Sequence, residues 1–191
     1  LKAIAESIHN KTISLAQGLK NIGYKMATEN YFDTIRIVSV DKIKEIEKLA
    51  LDASLNFRYP GDGSIVISLD ETTLAEDIND IVTVFAKAAG HEFKSNGETK
   101  QLTSSVLNSN SSLSRKSPIL THPVFSSHHS ETKMLRYIKK LENKDLSLTH
   151  SMISLGSCTM KLNAASEMIP VSLPYFANIH PFVPVSQTKG Y

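Results

Sequence analysis

The chain has 191 residues, 41% of them hydrophobic and 21% charged, a balance that excludes a collagenous repeat and a wholly disordered chain. With 21 Lys and Arg against 19 Asp and Glu, the net charge of +2 is too small for the positive field that sequence-independent nucleic-acid binding needs. The single cysteine, Cys158, allows neither an internal disulfide nor a cysteine-based zinc site, and no apolar run approaches the roughly 20 residues of a membrane span. The expected partners therefore include no nucleic acid and no membrane. The first residues (LKAIAESIHNKT) lack an initiator Met and a signal-peptide apolar region, so the chain reads as a cut piece or a processed product.

Taken in order, Ile4, Ile8, Leu15, Leu19 and Ile22 fall at helical spacing and predict an amphipathic helix that Gly23 ends. Residues 31–40 (YFDTIRIVSV) are rich in β-branched and aromatic types and predict a strand. Ile35 and Ile37 lie on one side of it, with Phe32, Val38 and Val40 mostly on the other, so both faces are expected to be covered. Asp41 is a candidate N-cap for a helix carrying Ile43, Ile46, Leu49 and Ala50, with Glu45 and Glu47 outward. The turn signal Tyr59-Pro60-Gly61-Asp62-Gly63 joins residues 56–59 to a strand at 64–69, the arrangement of a hairpin. Thr73 and Glu76 have capping-box spacing before Leu74, Ile78, Ile81, Val82 and Phe85, a helix running to about Ala89 and stopped by Gly90. These elements predict an α/β fold, an open sheet with helices against one face, as a two-layer unit over residues 1–95.

Residues 96–117 are serine-rich with few large apolar groups, which predicts a surface linker. Ser130 can cap a helix through Asn143, with Met134, Ile138 and Leu141 inward and Lys139, Lys140 and Glu142 outward. A short helix is expected at residues 162–168. Prolines at 170, 174, 181 and 184 predict an extended arm laid over another surface.

None of the seven histidines forms an i, i+4 zincin pair or a cysteine-linked metal spacing, and His128 and His129 would point to different faces of any regular element. No metal site is expected. Cys158 with a distant His is a conceivable thiol nucleophile, although a packed cysteine is the commoner outcome. Neither GxGxxG nor GxxxxGK occurs. The nearest phosphate cradle is Leu155-Gly156-Ser157-Cys158-Thr159-Met160-Lys161, where one glycine, two hydroxyls and a lysine could bind an anion. An ordinary capped turn is the commoner reading of such a stretch, and both readings stay open on physical grounds.

A literal string narrows the choice. Residues 151–191 (SMISLGSCTMKLNAASEMIPVSLPYFANIHPFVPVSQTKGY) resemble a segment of the glycine decarboxylases, the P-proteins of the glycine cleavage system, and LGSCTMKLN followed at this distance by NIHPF is specific. LTHPVF at 120–125, HSET at 129–132 and RYIKKLENKD at 136–145 resemble the same family, as do YFDT at 31–34 and SLDET at 68–72. Ser154, Leu173 and His128 depart from its usual residues.

The resemblance implies a pyridoxal 5'-phosphate enzyme of aminotransferase-like fold (fold type I), with two homologous halves that are fused in a homodimer or separate in a heterotetramer. Residues 1–95 would be the small α/β domain closing the N-terminal half and 96–117 the linker. Residues 118–191 would be the extended N-terminal arm, incomplete, of the C-terminal half. The family decarboxylates glycine and passes the aminomethyl group to the lipoyl arm of the H-protein. It works in the mitochondrial matrix in eukaryotes and in the cytoplasm in bacteria. Its Schiff-base lysine sits in a His-Lys step before a glycine-rich stretch, and no such string is present here, so Lys161 is given no covalent role. This piece alone is expected to be inactive and to hold no cofactor. Gly156, Ser157, Cys158, Thr159, Lys161 and His180 are the expected active-site lining. The rival reading is a non-enzymatic regulatory or assembly module, or a truncated pseudoenzyme that pairs with a complete subunit. The length of the natural reading frame separates the two.

Overall fold

The computed structural model describes residues 1–38, 40–91, 115–145, 150, 152 and 164–190, in two units, Leu1–Ser114 and Arg115–Tyr191. The first unit opens with helix α1, Lys2–Asn21, which buries Thr12, Leu15, Ala16 and Leu19. Its buried face starts later than the apolar spacing suggests, because Ile4 is exposed. Thr12 is accommodated by donating its hydroxyl to the Ile8 carbonyl at 3.0 Å, a local bond that satisfies a polar group inside the core. Gly23 (φ 93°) turns the chain out of the helix. Gly18 permits a close helix contact, since a Cβ there would sit 2.9 Å from Val82 Cγ2 on α3.

Strands β1 (Lys25–Met26), β2 (Thr34–Val38) and β3 (Ile65–Ser68) form an antiparallel sheet in that order. Ile35 lies opposite Ile67 and Ile37 opposite Ile65, and all four are buried, whereas Thr34, Arg36 and Ser68 alternate outward and are exposed. The expected cover on both faces of β2 is therefore corrected. Phe32 falls before the strand and stays exposed, stacked on His9 with ring centroids 5.5 Å apart. Val40 falls after it and is buried as the chain turns, its N–H donating to the Gly63 carbonyl at 3.2 Å. Where the strand starts and stops decides which apolar residues count.

Helix α2 (Ile43–Asp52) buries Ile46 and Ala50. Asp41 is not its cap: Lys42 holds that position, sending its Nζ to the Ala88 carbonyl at 2.8 Å and pairing with Glu45 at 3.5 Å. The hairpin at the 59–63 turn is reduced to one bridge, Arg58 to Val66, with Gly61 and Gly63 at positive φ. An ion pair between Arg36 and Asp62 and a hydrogen bond from the Ser64 hydroxyl to Asp62 brace that turn. The Ser64 hydroxyl first, with the Arg36 guanidinium adding, holds the Asp62 carboxyl below its usual range.

Helix α3 (Ala75–Ala89) starts one residue later than the expected capping box, with the Leu74 N–H donating to Asp77 Oδ2 at 2.7 Å. Thr73 is taken up instead by the preceding turn. There Asp70 Oδ1 accepts from the Thr72 hydroxyl at 2.7 Å and from the Thr72 and Thr73 N–H groups at 2.9 and 3.1 Å, and these bonds, the Thr72 hydroxyl first, lower its carboxyl. Leu74, at the N-cap position, is exposed. The helix closes on Gly90 (φ 77°), with the His91 N–H donating back to Ala86 at 2.9 Å. Phe85, fully buried, meets Tyr24 edge-on at 5.0 Å and Phe57 at 5.6 Å. The first unit is thus a mixed α/β domain with a three-stranded sheet.

The second unit contains α4 (Val124–Ser127), α5 (Glu131–Glu142), α6 (Ala165–Met168), a 3₁₀ turn (Ile169–Ser172), α7 (Pro174–Ala177) and a 3₁₀ turn (Val185–Gln187). The Ser130 cap is present, accepting from the Lys133 N–H at 3.3 Å. Met134, Ile138 and Leu141, expected inward, are exposed, and none of the described residues of this unit is buried. The extended arm is also corrected. Pro170 and Pro174 stand in the first turns of short helical segments, where a fixed φ and a missing N–H cost nothing. Most of the expected linker, residues 96–114, lies outside the described residues, as do residues 162 and 163 of the expected short helix.

Phe85→Ala removes the largest fully buried side chain, and the chain is expected to lose about 3–5 kcal/mol of stability, read by denaturant unfolding. Asp62 and Asp70 are both held below 3.8, so the stability they contribute is complete above that value and fades as pH falls through their folded-state values. Unfolding at about pH 3 is expected to show a smaller midpoint than at about pH 7, and Asp70→Asn is expected to narrow the difference.

Candidate functional site

Of the six expected lining residues, Gly156, Ser157, Cys158, Thr159 and Lys161 lie outside the described residues, and His180 is described. His180 is built from a proline turn. Pro181 follows it, the Phe182 N–H donates to His180 Nδ1 at 3.1 Å, and the Val183 N–H donates to the His180 carbonyl at 3.0 Å. The Phe182 ring packs at a tilt with centroids 5.8 Å apart. A ring nitrogen that accepts an N–H carries no hydrogen, so the neutral imidazole holds its proton on Nε2. His180 is exposed and its Nε2 makes no hydrogen bond with a described residue. The chemistry on offer is a positioned donor for an acceptor oxygen. Such a donor suits an anionic oxygen.

A second histidine, absent from the expected lining, is built the same way. His122 precedes Pro123; the Val124 N–H donates to its Nδ1 at 3.2 Å and the Phe125 N–H to its carbonyl at 3.1 Å. The recurring His-Pro step at 122 and 180 is the sequence signal that would have found it. The other two imidazoles nearby are engaged within the unit. His129 Nε2 meets the Phe125 carbonyl at 3.0 Å, and His128 stacks on Tyr137 with centroids 4.1 Å apart.

The first unit has a cleft of about 480 Å³ between the carboxyl ends of α1 and α3, lined by Tyr24, Lys25, Val40, Asp41 and Lys42 among others. The hydrogen bond from Lys42 Nζ to Ala88 spans its edge, so the ammonium is already spent on a carbonyl. Burial, with Glu45 adding, raises the Tyr24 hydroxyl, which donates to the Phe85 carbonyl at 3.0 Å. Neither group is poised for chemistry. Among the described residues no three His, Cys, Asp or Glu side chains gather as a metal site, and no helix is long and apolar enough to cross a membrane.

The family model of the glycine cleavage system P-protein matches residues 1–85. Across all 191 residues the chain is 46% identical to the mitochondrial glycine dehydrogenase (decarboxylating) of Mus musculus, covering 18% of that protein. It is 52% identical over 192 aligned positions to glycine dehydrogenase (decarboxylating) 1 of Colwellia psychrerythraea, covering 20% of it. A solved serine palmitoyltransferase from Sphingomonas wittichii aligns over 42% of this chain and 25% of its own at 25% identity, with a TM-score of 0.32, too low to bear on the fold. The chain is similar to the P-proteins of the glycine cleavage system, and it spans about one fifth of the length of the relatives it matches.

Proposed function

We propose that this chain is part of a glycine decarboxylase, with residues 1–95 as the two-layer small domain closing the N-terminal half of a fold type I enzyme. Residues 96–117 link it to 118–191, the arm opening the C-terminal half. The observation that carries this reading is identity near 50% running through both units to glycine dehydrogenases (decarboxylating). Pyridoxal phosphate, when bound in the complete enzyme, supplies the electron sink for loss of CO2 from glycine. The remaining aminomethyl group goes to the lipoyl arm of the H-protein. The enzyme works as a homodimer of fused halves or a heterotetramer of separate ones, in the mitochondrial matrix of a eukaryote or the cytoplasm of a bacterium.

This chain's own contribution is binding and orientation. The His180 turn fixes the imidazole through the Phe182 N–H and the backbone through the Val183 N–H, and its Nε2–H would donate to the glycine carboxylate or the cofactor phosphate. Gly156, Ser157, Cys158, Thr159 and Lys161 complete the lining, with backbone and hydroxyl donors in place of covalent chemistry. Lys161 forms no Schiff base.

In the complete protein, His180→Ala is expected to lower glycine decarboxylation about 10²-fold with folding retained. Parent-level decarboxylation and glycine affinity together with a lower melting temperature would make His180 a packing residue instead. The 191-residue chain, incubated with pyridoxal phosphate and reduced with borohydride, is expected to show no stoichiometric pyridoxyl adduct on Lys161 by peptide mass analysis. Such an adduct would restore the lysine as a covalent site.

A further inference from the structure

The cleft of the first unit has no part in the function proposed above. It holds about 480 Å³, room for a small organic molecule, and its lining mixes apolar and charged groups. Ile22, Val38 and Val40 supply apolar surface, and the charged residues of the lining are Lys25, Asp41 and Lys42. Lys42 is already engaged, by the Ala88 carbonyl at 2.8 Å and by Glu45 at 3.5 Å. Lys25 and Asp41 are exposed, and the side chain of neither makes a hydrogen bond or ion pair with any described residue, each other included. One ammonium and one carboxylate therefore stand in the same cleft without meeting.

That pattern selects the ligand. A single exposed ion pair gains little in water, so an anion at Lys25 alone or a cation at Asp41 alone has little to hold it. A molecule that carries both signs makes both pairs in one binding event, and an apolar body between them removes the surface of Ile22 and Val40 from water. The carbonyl ends of α1 and α3, between which the cleft lies, add a preference for positive charge on the same molecule. The Lys42 ammonium at the Ala88 carbonyl is an internal instance of that preference. An ammonium, a carboxylate and an apolar group on one small frame describe an aliphatic amino acid.

We propose that this cleft binds an aliphatic amino acid as its zwitterion, with the carboxylate at Lys25, the ammonium at Asp41 and the side chain against Ile22, Val38 and Val40. It is tested in the complete protein by calorimetric titration with leucine, with 4-methylpentanoate, which lacks the ammonium, and with 3-methylbutylamine, which lacks the carboxylate. Leucine is expected to bind, and each analogue to bind about fivefold more weakly, as does leucine to Lys25→Met and to Asp41→Asn. The amine is expected to bind Lys25→Met as it binds the parent, and 4-methylpentanoate to bind Asp41→Asn as it binds the parent, which shows that the cleft is intact in each variant. No binding of leucine, an analogue that binds as tightly as leucine, or parent-level leucine binding in either variant would each overturn the proposal. Leucine held elsewhere, the decarboxylation site included, is insensitive to both substitutions and falls under the last of these. None of these readouts requires turnover, so a complete protein that failed to release CO2 from glycine would count against the function proposed above and leave this test standing.

Discussion

The first unit depends on the burial of Phe85. Helix α3 brings that ring against Tyr24, which follows α1, and against Phe57, which precedes β3, so a single side chain ties segments from three parts of the chain. Tyr24 adds a polar constraint to the apolar one, because its hydroxyl reaches the Phe85 carbonyl. The position of α3 follows, and with it the contact at Gly18, where the absence of a Cβ lets Val82 approach α1. The isoleucines of β2 and β3 supply the floor of the same core. Everything buried among the described residues belongs to this unit.

The second unit is organised on a different principle. Its helices and turns are specified by local hydrogen bonds, the Ser130 cap and the two His-Pro turns among them, while its apolar side chains remain exposed. Local bonds of this kind fix conformation over a few residues at a small net gain in free energy, whereas burial supplies most of the stability of a domain. Met134, Ile138 and Leu141 on one helix, and Tyr175, Phe176 and Phe182 further on, are all exposed.

Element type was legible in the sequence wherever a long apolar period coincided with a clear stop. Helix α3 and its Gly90 terminus are the clearest case, and Ser130 before α5 is another. Boundaries were less legible because several candidate caps stand side by side: Asp70, Thr73 and Asp77 all lie near the start of α3, and the contest among them is settled by tertiary position. Asp41 lost the capping position of α2 for the same reason. The cover on the second face of β2 was misjudged because Phe32 and Val40 look like strand residues but lie beyond its ends. In the tail, proline was read as a sign of extended chain, although at a helix start it is equally at home. For the candidate site, His180 was legible through its proline. His122 was not, because it shows only in a hydrogen-bond pattern that repeats 58 positions further on, and the remaining lining residues, from 156 to 161, fall outside the described structure.

The shape of the small sheet carries a consequence for how this unit behaves at high concentration. Its two outer strands are where another chain would add by pairing, and both are blunted. On one side β1 is two residues long and begins with a lysine; on the other, Arg58 exchanges both backbone hydrogen bonds with Val66 and so occupies the outward groups at the middle of β3. A short charged edge and an edge already paired leave little template for intermolecular strand addition. The 59–63 turn, held by Asp62 and Ser64, therefore keeps the Arg58 segment folded back as a guard against self-association, and loosening that turn would free the outward N–H and carbonyl of Val66 at the middle of an isoleucine-rich strand.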